Sequence, residues 1–313
     1  MTRLYIIYIF LFFLLFTSCK ENFFDSIIDV EVPEHESQLT VTAHLFDGNP
    51  DQRIFVNQSR GILDSAEIKP VTNVVADLYE GDNLIANFLF TPYEDRGERG
   101  RYLSDSISFV SGASYTLKMQ SEEFGNIEST QITPTKVKIN AATYEKEGTI
   151  DRYGERVDEI SIEFDDPQGE KNYYAVFVSG AYLFENNDTS FIIPNWGLYD
   201  TPVDPIIEEA SGILLFSDAT LDGKNYTLRF GTFAEDTRSY PTINGERIEG
   251  KLLGLTVSLL SVSQDYYSFW KSMETFEANQ DNFFAEPTNV YENIQGGIGI
   301  FTINVRDEYV IEF

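Results

Sequence analysis

Cys19 is the only cysteine in 313 residues, and it stands in the stretch LLFTSCKEN directly after an apolar run. With no second cysteine to pair with, it cannot form a disulfide within the chain, and its place directly after the apolar run is what calls for an account. Other reactive residues are sparse. Histidine occurs twice, at His35 and His44, and one of these would have to serve any Ser-His-Asp or Cys-His device. A histidine-based zinc site lacks ligands altogether. The remaining catalytic route is a carboxylate pair of the glycosidase kind, yet among 51 acidic residues some pair falls at a suitable separation by chance. Asp165 and Asp166 are the most suggestive, ending an alternating segment ahead of a Pro-Gln-Gly turn. With Glu170 they could offer oxygen ligands to calcium, the competing reading being an ordinary solvated turn. Trp196 and Tyr199 lie in IIPNWGLYDTPVDPIIEE (192–209), a proline-rich stretch without periodicity. Exposed, they could stack on a sugar or anchor a protein interface; the alternative is a loop folded back over a buried Trp196.

The glycine cluster GGIGIF (296–301) invites comparison with phosphate-cradling loops. The third glycine of a dinucleotide fingerprint is missing, no capped helix follows, and IGIFTINV continues as a strand. Nucleotide binding is not expected. The glycines read instead as a close approach to a neighbouring strand or a bulge. The preceding AEPTNVYENI is rich in groups that bond backbone locally, and is expected to be an ordered loop docked on its own domain.

The segment before Cys19 explains the thiol. Arg3 is followed by an unbroken aliphatic and aromatic run from Leu4 to Phe16, then by Thr17 and Ser18. A spanning helix needs about 20 apolar residues, whereas a secretory h-region needs about 7–15. The arrangement resembles a bacterial lipoprotein signal (1–18), with Cys19 lipidated as the first mature residue, although Phe16 stands where leucine is usual. The alternative is an ordinary cleaved signal with an incidental cysteine. Residues 19–36, acidic and carrying Pro33, read as the lipidated cysteine and a tether. The formal charge of −29, from 22 basic and 51 acidic residues, repels phosphate backbones, so no nucleic-acid partner is expected. It also repels anionic headgroups, so the lipid bilayer would be held through acylated Cys19 and not through a basic patch.

The rest of the chain reads as mainly β. LTVTAHLF alternates apolar and polar residues, with His44 on the polar face, and DGNPD and Glu80-Gly81-Asp82-Asn83 are turn signals between further β-rich runs. GASYTLKM (112–119) echoes GKNYTLRF (223–230), with Tyr, Leu and the last apolar residue expected on one face. Two β-sandwich domains of immunoglobulin- or fibronectin-like type follow, over 37–135 and 136–313. One amphipathic helix is expected near 263–279, opened by a capping box from Ser261 to Gln264, with Asp265 in its first turn. Its stripe of Tyr266, Phe269, Trp270, Met273 and Phe276 is expected to pack on a sheet.

LSVSQDYYSFWKSME followed by NFFAEPTNVYENIQGGIGIF resembles the closing signature of the domain-of-unknown-function 4249 family, lipoproteins of the Bacteroidota. LTVTAHLFDG, GRYLSD, GASYTLKMQ, FDDPQGEKNYY and FSDATLDGKNY agree in order, so the resemblance spans nearly the whole mature chain. It implies an anchored envelope protein of the outer membrane, associated with transporters of the TonB-dependent class, and carries over no catalytic residues. The expectation is a non-enzymatic accessory lipoprotein without cofactors, working with such a transporter in uptake or ligand capture. The alternatives are a surface glycan-binding module or carboxylate-based glycosidase, and a purely structural envelope protein. Which face of the outer membrane it would occupy is left open.

Overall fold

In the computed structural model the residues described are 35–313 apart from 62–63, 65–69, 94–99, 187–188, 196–197, 242–246, 281–285 and 287. Cys19, most of the tether, Trp196 and part of the loop before the glycine cluster therefore lie outside the described residues. Ser37–Phe313 form one compact unit. The secondary structure is mainly β, with one α-helix.

The first part of the chain supplies β1 (Leu39–Phe46), β2 (Gln52–Gln58), β3 (Val75–Glu80), β4 (Asn83–Pro92), β5 (Gly100–Ser104), β6 (Ser114–Ser121) and β7 (Gly125–Ile132). Then come β8 (Ile139–Ile150), β9 (Arg156–Asp165), β10 (Tyr173–Asn186), β11 (Thr189–Asn195), β12 (Asp200–Pro202), β13 (Glu208–Ala210) and β14 (Ile213–Ser217). After a short 3₁₀ turn, Asp218–Thr220, follow β15 (Asn225–Thr232), β16 (Thr237–Pro241), β17 (Arg247–Val262), α1 (Gln264–Gln280) and β18 (Ile298–Glu312).

Period-two burial decides how these strands pack. In β1, Leu39, Val41, Ala43 and Leu45 are buried and their neighbours are less so. The strands β18-β1-β2-β5-β4-β3-β6-β7 run in that order, all neighbours antiparallel except β1 and β18. This sheet returns on itself: Glu128 of β7 and Gln295, just before β18, exchange backbone hydrogen bonds of 3.1 and 2.9 Å. Inside lies a first core that includes Ile54, Phe88, Tyr102, Tyr115 and Leu117, together with Phe301 and Ile303 of β18. In the second half, the antiparallel sheet β12-β15-β9-β8 encloses a second core with β13-β14-β10-β17-β18, a sandwich filled by Phe164, Tyr174, Phe216, Phe230 and Leu259. The passage between the cores falls near residue 135, yet β18 serves both, with Tyr309 and Ile311 packed on the second.

Local signals behave as their chemistry dictates. The β3–β4 hairpin turns at Gly81, with φ of 59°. In the two echoed segments Tyr115, Leu117 and Met119 of β6 are buried, as are Leu228 and Phe230 of β15, with Tyr226 packed against the second core. The helix forms where its stripe places it, with Tyr266 and Phe269 buried. Its cap differs from the expected one. Ser263, not Ser261, caps α1, its Oγ accepting the Tyr266 N–H at 3.2 Å. Ser261 is still inside β17, paired with Val305 of β18 and Tyr174 of β10, and its Oγ accepts the Val137 N–H instead. His44 lies on the polar face of β1 as expected, and there its ring is covered by Tyr266, Phe269 and Trp270 of α1 while Thr42 stays exposed.

The glycine cluster performs the expected close approach. Gly299 has φ of +121°, and a Cβ there would lie 2.0 Å from the Val41 carbonyl oxygen. Gly299→Ala is therefore expected to destabilise the fold by about 3 kcal/mol or more, or to block folding. Gly48→Ala, with positive φ but open space, is expected to cost about 1 kcal/mol. Urea denaturation of both variants checks the contrast; equal losses would show that the β1–β18 approach is not tight.

Candidate functional site

β9 ends at Asp165, and the chain then turns sharply through Asp166 and Pro167 towards β10. The alternation that buries Phe164 sends Asp165 outward, where Asn225 and Asn140 donate to it at 3.0 and 2.8 Å and lower its pKa. Asp166 turns inward. It accepts the Tyr174 hydroxyl at 2.5 Å and the Gly223 N–H at 3.0 Å, and burial raises its pKa. Asp218 and Asp222 approach from the 3₁₀ turn, so that carboxylate oxygens of Asp166, Asp218 and Asp222 lie within 4.8 Å of one another. Glu170 points elsewhere and accepts the Thr135 hydroxyl at 3.0 Å. Of the expected calcium trio, Asp166 alone is in this cluster. Each cluster member also accepts a backbone N–H: Asp218 from Asn172, Asp222 from Gly169, Asp166 from Gly223. The three carboxylates thus fasten the β9–β10 turn to the β14–β15 connection. Sequence reading missed Asp218 and Asp222 because they lie some fifty positions away; the spacing Asp-x-x-x-Asp-Gly was the available signal.

Beside this corner, a cleft of about 550 Å³ opens between residues 130–135 at the end of β7, residues 170–173 leading into β10, and residues 261–265 at the junction of β17 and α1. Its floor is organised by Asp265. That carboxylate accepts Gln131 Nε2 at 2.6 Å, Asn293 Nδ2 at 2.8 Å and the Tyr291 hydroxyl at 2.6 Å. It also lies in the first helical turn, where a negative charge complements the helix dipole. The loop before the glycine cluster is therefore docked on its own chain, as expected. The cleft was not legible in the sequence, since its three walls come from segments more than thirty residues apart.

The aromatic candidates fare differently. Tyr199 is 49% exposed, and its ring lies 5.5 Å from that of Phe233, which is 38% exposed. The Phe233 N–H donates to the Tyr199 carbonyl at 3.1 Å, so β12 and the residues after β15 hold the pair together. Phe233 was not singled out by the sequence. The 192–209 stretch holds the end of β11, all of β12 and the start of β13.

Two titratable groups are committed to the interior. His44 pairs with Thr302 across the β1–β18 ladder, Nδ1 and Oγ1 being 2.8 Å apart, and its ring meets those of Tyr266, Phe269 and Trp270 at 5.3–5.9 Å. Burial lowers its pKa to about 4. Asp200 accepts the Val178 N–H at 2.9 Å, and burial raises its pKa to about 7. The partners of both are built into strands, Thr302 into β18 and Val178 into β10, so both groups serve packing.

A family model described as a domain of unknown function, DUF4249, matches residues 25–309. The chain belongs to that family. No curated protein matches it. The DUF4249 match covers both cores, the carboxylate cluster, the cleft and the Tyr199–Phe233 pair, and ends within β18.

The two buried groups tilt stability in opposite directions. Between about pH 6.5 and 4 the unfolded chain takes a proton at His44 that the fold refuses, so stability falls as pH falls. Between about pH 4 and 7 the folded chain keeps a proton at Asp200 that the unfolded chain has released, so stability falls as pH rises. In Asp200→Asn the denaturation midpoint is expected to climb with pH over this window, and in His44→Gln to decline. Identical pH profiles for both variants and the parent protein would refute these assignments.

Proposed function

We propose that this DUF4249 protein is a lipid-anchored envelope protein that binds and does not catalyse, an accessory to a TonB-dependent transporter of the outer membrane in uptake or ligand capture. The observation that carries the reading is the division of the chain. An apolar run ends at Cys19, and the compact unit begins at Ser37. The intervening residues 20–36 could lift that unit by at most about 55 Å when fully extended. An acidic body on such a leash suits work beside a membrane partner, since charge repulsion keeps it off anionic headgroups. The burial of His44 under α1 supports a binding role, because the one histidine within the compact unit is occupied in packing. The Tyr199–Phe233 pair is the surface best suited to hold the transporter: two half-exposed rings fixed by a backbone hydrogen bond make a rigid apolar anchor.

Cys19→Ala is expected to move the protein from the membrane fraction to the soluble fraction, checked by fractionation and immunoblotting. Pull-down of the tagged full-length chain from detergent-solubilised envelopes is expected to recover one β-barrel transporter in near-equal amount. Tyr199→Ala with Phe233→Ala should reduce that recovery about tenfold or more, as loss of an interface anchor does. Recovery of the lipoprotein alone would overturn the accessory reading.

A further inference from the structure

The cleft at the start of α1 has the dimensions of a small-molecule site, at about 550 Å³ within the usual 300–1,000 Å³ or so. Its walls come from the end of β7 and the residues after it, the segment leading into β10 and the β17–α1 junction, so a bound molecule would touch elements of both cores. The lining is rich in groups that both donate and accept, among them Thr130, Thr133, Thr135, Gln131, Asn172 and Gln264. Tyr173, held 5.0 Å from the ring of Tyr267, adds an aromatic wall.

Charge narrows the ligand. Lys171 is the one cation of the lining, set against Glu170 and Asp265, so an anion would meet net repulsion in a protein already at −29. The helix N-terminus, which would otherwise draw an anion, is answered by the Asp265 carboxylate and the Ser263 cap. A cation fares no better, because Asp265 already accepts three hydrogen bonds and Glu170 accepts Thr135. A hydrocarbon would strand the polar lining. What remains is neutral and rich in hydroxyls. A second observation points the same way. Thr133 lines the cleft, is 1% exposed, and its Oγ1 has no hydrogen-bonding partner. Buried hydroxyls are ordinarily paired, and because this one is itself closed off from solvent, a ligand hydroxyl reaches it only by parting its neighbours at the cleft wall.

We infer that this cleft binds a neutral polyhydroxylated ligand of the mono- or oligosaccharide class, held by Thr133 and Gln264 with Tyr173 against a sugar face. The inference rests on the ligand-capture reading, but is read without any transporter. Isothermal titration calorimetry of the full-length chain, in a detergent without a sugar headgroup, would use malto-, cello-, galacto- and manno-oligosaccharides and their sulfated counterparts. At least one neutral series should bind, with its sulfated form about tenfold weaker or worse. Thr133→Val, which replaces an unpaired hydroxyl by a methyl of the same shape, should lower affinity about fivefold while leaving thermal stability unchanged or higher. Gln264→Ala, at an exposed position, should lower affinity similarly. Absence of binding by every neutral series, tighter binding of the sulfated forms, or affinity unaltered in both variants would overturn the inference. Transporter recovery in the pull-down would stand or fall separately.

Discussion

The parallel pairing of β1 with β18 is the constraint on which the rest of the structure depends. Seven residues of each strand stay in register, from Thr40 opposite Ile298 to Phe46 opposite Asn304. Bringing together segments some 258 positions apart, as His44 and Thr302 are, costs about 5 kcal/mol of loop-closure entropy. Ile300, Phe301 and Ile303 are fully buried, and burial of such side chains stabilises by about 1.5–3 kcal/mol each. The apolar gain therefore matches or exceeds the closure cost before any ladder hydrogen bond is counted. The two strands approach so closely that only glycine fits opposite Val41.

From that pairing the site's architecture follows. Asn293 copies a strand partner, its side chain bonding both the N–H and the carbonyl of Phe301 at 2.8 Å, while its amide also reaches Asp265. β18 is thereby linked to the first turn of α1. The helix in turn lies over His44, whose ring is surrounded by Tyr266, Phe269 and Trp270. Because Asp265 also holds Gln131 of β7, one carboxylate ties together helix, returning loop and the last strand of the first half. The polar cleft is the space left around this junction.

Much of the fold was legible because strands and the helix announce themselves through local periodicity. LTVTAHLF alternates and forms β1; the Tyr266–Phe269 stripe recurs at helical spacing and forms α1. What failed were readings that needed knowledge of partners. Ser261 and Ser263 are equally plausible caps in isolation, and only the length of β17's pairing decides between them. The carboxylate cluster adds Asp218 and Asp222 to Asp166, and neither was visible from the Asp165-Asp166 corner. Phe233 became significant only once a backbone hydrogen bond set it beside Tyr199. Each error has the same physical origin, a tertiary contact that overrides a local pattern.

The sharing of β18 between both cores has a consequence for how the chain is made. A ribosome delivers β1 to β7 long before residues 295–304 exist, so for most of synthesis the first half holds its core open along two unpaired strand edges. Such edges are templates for aggregation. Any intermediate that completes the first core before the C-terminal strand arrives must borrow a strand from elsewhere, its own later segments or a second copy. The final strand thus acts as a latch that closes the first core last.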